Sequence, residues 1–232
     1  MEINQIRKDF PLLNKNIEMQ GKPLVYFDNA ATSLKPQCVL DAMNDYYTSF
    51  GVNVHRGDYD LAAMADKAYE EARTKTAKFI NANDNEIVFT SGTTASINLV
   101  AIGYVKDILN ENDEIILNEA EHASNLLPFY QIAKEKNAKI VMAPLDDKGS
   151  VDIVSIEKLI NEHTKFISIA YVNNVLGSEN DVKKIIEIAH KHNIKVLVDG
   201  AQAVPHMKVD VKDIVKLQVM ETVFKGKTTY RR

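Results

Sequence analysis

From Glu86 onward, apolar runs of strand length alternate with stretches of helical period: EIVFT, TASINLVAIGYVKDIL, EIILN, LLPFYQIAKEKN, AKIVMA, KFISIAYV, VKKIIEIAHKHN and KVLVD. Runs made almost wholly of Val, Ile and Leu suit strands buried on both faces, the condition of a parallel sheet covered by helical crossovers. The order strand, helix, strand therefore predicts a doubly wound α/β domain, three layers α/β/α around a mostly parallel sheet.

Ahead of Glu86 the pattern predicts a short strand, LVYF, and two helices, PQCVLDAMNDYYTSF and LAAMADKAYEEARTKTAKFI, the first opened by Pro36 at its first helical position. A polar loop, GVNVHRGDYD, joins them. The chain contains no repeat or low-complexity tract, and its expected organisation is an N-terminal arm over 1–24, one large domain over 25–214 and a divergent basic tail over 215–232. That tail, VKLQVMETVFKGKTTYRR, ends in a GKT that invites a phosphate-loop reading, but Glu221 stands where such a loop needs its first glycine.

The 232 residues carry a formal charge of -4, without the clustered Lys and Arg that nucleic acid or an anionic membrane surface requires. No apolar run reaches the roughly 18 residues of a membrane span. The single cysteine, Cys38, excludes a disulfide framework and a multi-cysteine metal site, and its usage fits a reducing, cytoplasmic setting. Cys38 itself reads as a small, partly buried helix residue. Chemistry on a small molecule is the expectation that remains.

In parallel α/β sheets ligands bind beyond the carboxyl ends of the strands, so the polar clusters that follow strand runs are the candidates. TSGTT, Thr90 to Thr94, passes from a strand through glycine into a helix; it is either an ordinary N-cap turn or a phosphate cradle of free N–H groups and hydroxyls. Asp199 ends the run KVLV and is either a turn carboxylate or the partner of a positive charge, with Gln202 one helical turn on. His122 in EAEHAS is a structural histidine or a flat ring that stacks on a planar ligand and moves protons. Asn174 in NNVLG is a turn residue or a ligand contact, and His55 with Arg56 a solvated loop or an anion clamp.

Taken in order, YFDNAAT, NVHRG, FTSGTT with INLVA, EHASN, NNVLG and VDGAQAVPHMKVD resemble the pyridoxal-phosphate enzymes of the class V aminotransferase family, and among them the cysteine desulfurases of iron-sulfur cluster assembly. The resemblance runs from about Asp9 to Ile214. It implies the large domain of fold type I and pyridoxal 5'-phosphate as cofactor. It also implies Thr93 and Thr94 at the phosphate, His122 stacked on the ring as a catalytic residue, Asn174 and Gln202 at the phenolic oxygen, and Asp199 at the pyridine nitrogen. His55 and Arg56 would stand at the mouth of the site, near the substrate. L-Cysteine would be the substrate, a sulfur-acceptor protein and a second copy of the chain the partners, and no metal, nucleic acid or membrane would take part.

The family's Schiff-base lysine normally closes a Ser-Gly-His-Lys motif after the aspartate strand; Lys225 falls near that spacing without the motif around it, ahead of Lys216 and Lys227 as a candidate. The family's nucleophilic cysteine lies on a loop far beyond residue 232. The resemblance therefore reads this chain as a truncated or frameshifted N-terminal portion without the small C-terminal domain, inactive alone. Two alternatives stay beside it. One is a non-catalytic cofactor-binding remnant or desulfurase-docking partner; the other is a selenocysteine lyase or a further enzyme of the same family.

Overall fold

The computed structural model describes residues 2–15, 17–214, 221–224 and 227–231. These form two compact units, Met1–Thr76 and Ala77–Arg232. The first holds α1 (Ile3–Lys8), α2 (Pro11–Asn14), a hairpin of β1 (Glu18–Met19) and β2 (Lys22–Pro23), then α3 (Gln37–Asp45), a π-helical turn over Tyr46–Phe50, and most of α4 (Asp60–Ile80). Gln20 and Gly21 close the hairpin with φ of 56° and 72°, the left-handed pair that matches the twist of a two-residue turn.

Two expectations fail in this unit. LVYF is not a strand: Leu24 donates its N–H to the Ile17 carbonyl at 2.9 Å, but the segment then runs on without a ladder, leaving Phe27 92% exposed. An apolar run becomes a strand only where another strand lies beside it. Pro36 sits one residue outside the helix as its N-cap, with extended φ -70° and ψ 156°, so α3 begins at Gln37.

The second unit is built on one parallel sheet of β3 (Glu114–Asn118), β4 (Lys139–Ala143), β5 (Thr164–Ala170) and β6 (Lys195–Asp199), in the order β4-β3-β5-β6. Alternate side chains enter opposite layers, as period-two geometry requires. Ile116, Ile167 and Ile169 pack with Ile156 of α8 (Ile153–Leu159) and with Ile185, Ile188 and Ala189 of α9 (Val182–Lys191). Ile115, Leu117 and Phe166 pack on the other face with α5 (Thr93–Val100), the π-helical turn Ala101–Val105, and Phe129 and Ile132 of α7 (Ala123–Lys136), with α6 (Lys106–Ile108) between. The α/β/α layering expected from the pattern is therefore present, and helix α8, begun by an Asp152 carboxylate that accepts from Val154 N–H at 3.1 Å, adds to it.

EIVFT, expected as a strand, lies outside the sheet. Asp84–Glu86 forms a short 3-10 turn, residues 87–90 carry no ladder, and Val88 is 71% exposed. Beyond β6 come α10 (Ala203–His206) and α11 (Val211–Ile214), and then an antiparallel hairpin of β7 (Glu221–Phe224) and β8 (Lys227–Arg231) where no regular pattern was expected. Its Thr, Val, Phe and Tyr content suits strands.

Candidate functional site

The chain runs from β3 to its neighbour β4 and then crosses back to β5 on the other side of β3, so the direction of winding reverses between β3 and β5. Strand ends part at such a point and leave a crevice. Here the β3–β5 ladder stops at Ile116 opposite Ile167 although β5 continues to Ala170. Ala170 N–H is met instead by the Glu121 carboxylate, at 2.9 and 3.0 Å to its two oxygens. Asn125 Nδ2 donates to the same carboxylate at 2.7 Å, as does Asn118 Nδ2, and Ser168 Oγ donates to Asn125 Oδ1 at 2.6 Å.

Every partner of Glu121 is a donor and favours the ionised carboxylate, yet burial opposes ionisation more strongly and, with a further push from the Asp199 charge, raises its pKa to about 7. The local sequence does not single this residue out. Its only signal there is an acid just past a strand end, flanked by Asn118 three before and Asn125 four after.

Helix α5 begins at the TSGTT cluster. Gly92 takes φ 147° and ψ 174° as its N-cap, a region essentially reserved for glycine. Its carbonyl accepts from Ser96 N–H at 3.1 Å, and helix geometry leaves the N–H groups of Thr93 and Thr94 without intrahelical acceptors. Thr94 Oγ1 lies 2.8 Å from Ser124 Oγ, and Ser124 in turn lies 3.0 Å from His122 Nδ1 through its hydroxyl and donates its N–H there at 3.1 Å. His122 thus caps α7, and the accepted N–H leaves the ring's Nε2 as the nitrogen that carries the proton in the neutral form.

Asp199 is the last residue of β6 and is 8% exposed. Its Oδ1 accepts from Ala201 N–H at 2.9 Å, and no cationic side chain meets it among the described residues. Asp199 and Thr93 line one cavity of about 400 Å³; His122 and Asn174 line a second of about 400 Å³. Asn174 is half-buried, in a turn fixed by Asn173, whose Oδ1 accepts from Val175 N–H at 2.8 Å and Leu176 N–H at 2.7 Å. Gln202, also half-buried, is the N-cap of α10.

His55 and Arg56 belong to the other unit. His55 has φ 59° and is tied to α4: its N–H donates to Asp66 Oδ1 at 2.6 Å and its Nε2 lies 3.2 Å from Glu70 Oε1. Its imidazole is engaged by its own unit, whereas Arg56 is exposed. Cys38 on α3 is exposed rather than partly buried. Lys216 and Lys225 lie outside the described residues, and Lys227 falls at the start of β8.

Residues 25–216 match the aminotransferase class-V family. The chain belongs to that family. It is 48% identical over 215 residues to the probable cysteine desulfurase of Halalkalibacterium halodurans, spanning 92% of this chain and 52% of that protein. Against the cysteine desulfurase of Synechococcus elongatus the identity is 44% over 212 residues, 91% of this chain and 34% of the relative. Among solved structures, the apo cysteine desulfurase of Thermococcus onnurineus superposes with a TM-score of 0.84 at 39% identity, over 92% of this chain and 51% of that one. Apart from the Synechococcus protein, the chain spans about half the length of these relatives.

Pyridoxal phosphate is the cofactor of this aminotransferase family, and the residues present suit it. Free helix N–H groups with a threonine hydroxyl suit a phosphate. Two buried carboxylates, Glu121 and Asp199, share one charge environment with no described cation between them, a deficit that a protonated ring nitrogen would balance.

Proposed function

We propose that this chain holds pyridoxal phosphate for a cysteine desulfurase, with L-cysteine as substrate. The observation that carries the reading is that Asp199, a buried carboxylate without a described cation, lines the same cavity as Thr93 at the free start of α5. In this reading the N–H groups of Thr93 and Thr94 and the Thr94 hydroxyl bind the phosphate, with the helix dipole adding to them. His122 supplies the flat ring beside the cofactor and a proton-bearing Nε2. Asn174 and Gln202 donate to its phenolic oxygen, and Asp199 keeps a proton on the pyridine nitrogen.

When bound, the cofactor supplies an electron sink for the carbanion at the substrate Cα. The overall reaction is scission of the cysteine C–S bond, giving alanine and a persulfide on an enzyme cysteine. His55 and Arg56 sit in a loop whose charge suits a substrate carboxylate. A second copy of the chain and a protein that accepts sulfur belong to the same reading, and a reducing cytoplasm suits the single cysteine.

The test is titration of the purified chain with pyridoxal phosphate, followed by absorbance and calorimetry, beside Asp199→Asn and Thr94→Val. Saturable one-to-one binding weakened by both substitutions supports the reading; binding indifferent to both refutes it. Alanine release from L-cysteine, compared with release from L-selenocysteine, then identifies the substrate.

A further inference from the structure

Among the described residues, Glu121 is the one buried titratable side chain at the carboxyl ends of the strands to which the reading above gives no part. It is 6% exposed and sits where β3 and β5 separate. Its position is shared with Asp199 through two consecutive backbone amides of one segment. Ala170 N–H goes to the Glu121 carboxylate, and Tyr171 N–H goes to the Asp199 carbonyl at 2.8 Å. On its other side, Glu121 directly precedes His122 and holds Asn125 in the first turn of α7.

A neutral acceptor would cap Ala170 N–H as well and would avoid the cost of a buried charge. A carboxylate adds a field. The groups that face it make that field one-sided: Asp199 comes from β6, Glu119 and His122 flank it in its own turn, and the direct contacts are neutral donors, Asn118 from β3, Asn125 from α7 and the Ala170 amide from β5. No described lysine or arginine answers the two acids.

We propose that Glu121 is a positioning residue of the cofactor site: it seats His122 and Asp199 through the seam between β3 and β5 and adds its negative charge to that of Asp199. This rests on the pyridoxal-phosphate reading. Two like charges near one bound cation raise its proton affinity together, and by reciprocity the cation draws both carboxyls toward ionisation. Ionisation of Glu121 should therefore strengthen the hold on a protonated pyridine ring, whereas a purely structural cap would leave the ratio of affinities between the intact chain and a Glu121→Gln variant independent of pH.

The probe is pyridoxine 5'-phosphate, which keeps the phosphate and the ring nitrogen but has no aldehyde to react with a lysine. Its affinity is measured by calorimetry from about pH 6 to about pH 8 for the intact chain and for Glu121→Gln. The intact chain's advantage should grow about fivefold across that range, most of the tenfold that one pKa unit of coupling gives in full. Because a glutamine amide would set N–H against the Ala170 N–H and could unseat the seam, the Glu121 carboxyl carbon is also followed by NMR in the intact chain and in Asp199→Asn. Its midpoint, near 7, should fall when the Asp199 charge is removed. An affinity ratio that stays flat with pH, or a midpoint unmoved by Asp199→Asn, overturns the proposal and leaves the cofactor reading standing. Failure of the intact chain to bind the probe at any pH overturns both.

Discussion

Thr94 Oγ1 lies 2.8 Å from Ser124 Oγ, and through that pair the start of α5 is fastened to the start of α7. The first helix start offers unpaired N–H groups and the second carries His122, itself bound to Ser124. A phosphate seated on α5 and a planar ring under His122 would thus be positioned by one short hydroxyl relay. Rigid elements joined in this way hold a ligand better than loops do.

Thr94→Val keeps the branched shape of the residue and removes the hydroxyl. The site loses one donor to the phosphate and the link to Ser124, so affinity for pyridoxine 5'-phosphate should fall about tenfold, near 1.4 kcal/mol. Thr94 is exposed, so the unfolding free energy should move by less than about 0.5 kcal/mol. Calorimetric titration paired with urea unfolding checks both numbers; a loss of stability without a loss of affinity would argue against a phosphate at α5.

Gly92→Ala tests the backbone instead of the hydroxyl. A methyl group at Gly92 would enter open space, so no clash is expected, but φ 147° is a conformation that alanine avoids at a cost of about 1–3 kcal/mol. Thermal unfolding should register that loss. Affinity for the probe should fall with it, since the turn that aims the first N–H groups of α5 must rearrange. Wild-type stability in the variant would mean that the turn is not held in this conformation in solution.

Asp199→Asn is nearly isosteric, and the new side chain can still accept from Ala201 N–H through its Oδ1, so the fold should persist. What disappears is the charge. Hydrogen bonds to charged partners are worth about 1.5–3 kcal/mol, and the affinity for pyridoxal phosphate should drop between about tenfold and a hundredfold. Circular dichroism establishes that the fold remains, and equilibrium titration reads the loss; an unchanged dissociation constant would remove Asp199 from the cofactor.

The parts of this fold that could be read from residue order are those whose neighbours lie within the same pattern. EIILN, KIVMA, KFISIA and KVLVD each find a parallel partner among themselves, and their continuous β-branched character follows from helices on both faces. EIVFT has the same composition and is no strand, because a strand is defined by a ladder and none is described beside it. LVYF fails for the same reason. At the site, the sequence marks His122 and Asp199 as candidates because each follows one of these strand runs in a polar cluster, and Thr94 because it opens a helix behind a glycine. It does not mark Glu121, since its partner, Ala170 N–H, lies 49 residues away and is free only because β3 and β5 diverge. No local pattern records that divergence.

Glu121 also ties stability to pH. Its folded pKa is raised from 4.5 to about 7, so below about pH 4.5 the carboxyl is protonated in folded and unfolded chains alike and its favourable contribution is complete. As pH rises through 7, the folded chain must release a proton that the unfolded chain has already lost, and that contribution disappears. The shift corresponds to about 3 kcal/mol. His190 works in the opposite direction, because burial lowers its pKa and favours the folded state as pH rises, so the total pH profile mixes the two. The difference between the intact chain and Glu121→Gln isolates the carboxyl, since glutamine does not titrate and His190 is common to both. Urea unfolding at about pH 5 and about pH 8 should show the intact chain losing roughly 2.5 kcal/mol relative to the variant, since part of the shift already lies below about pH 5. An equal difference at both pH values would mean that Glu121 is ionised throughout, held so by its four donor contacts.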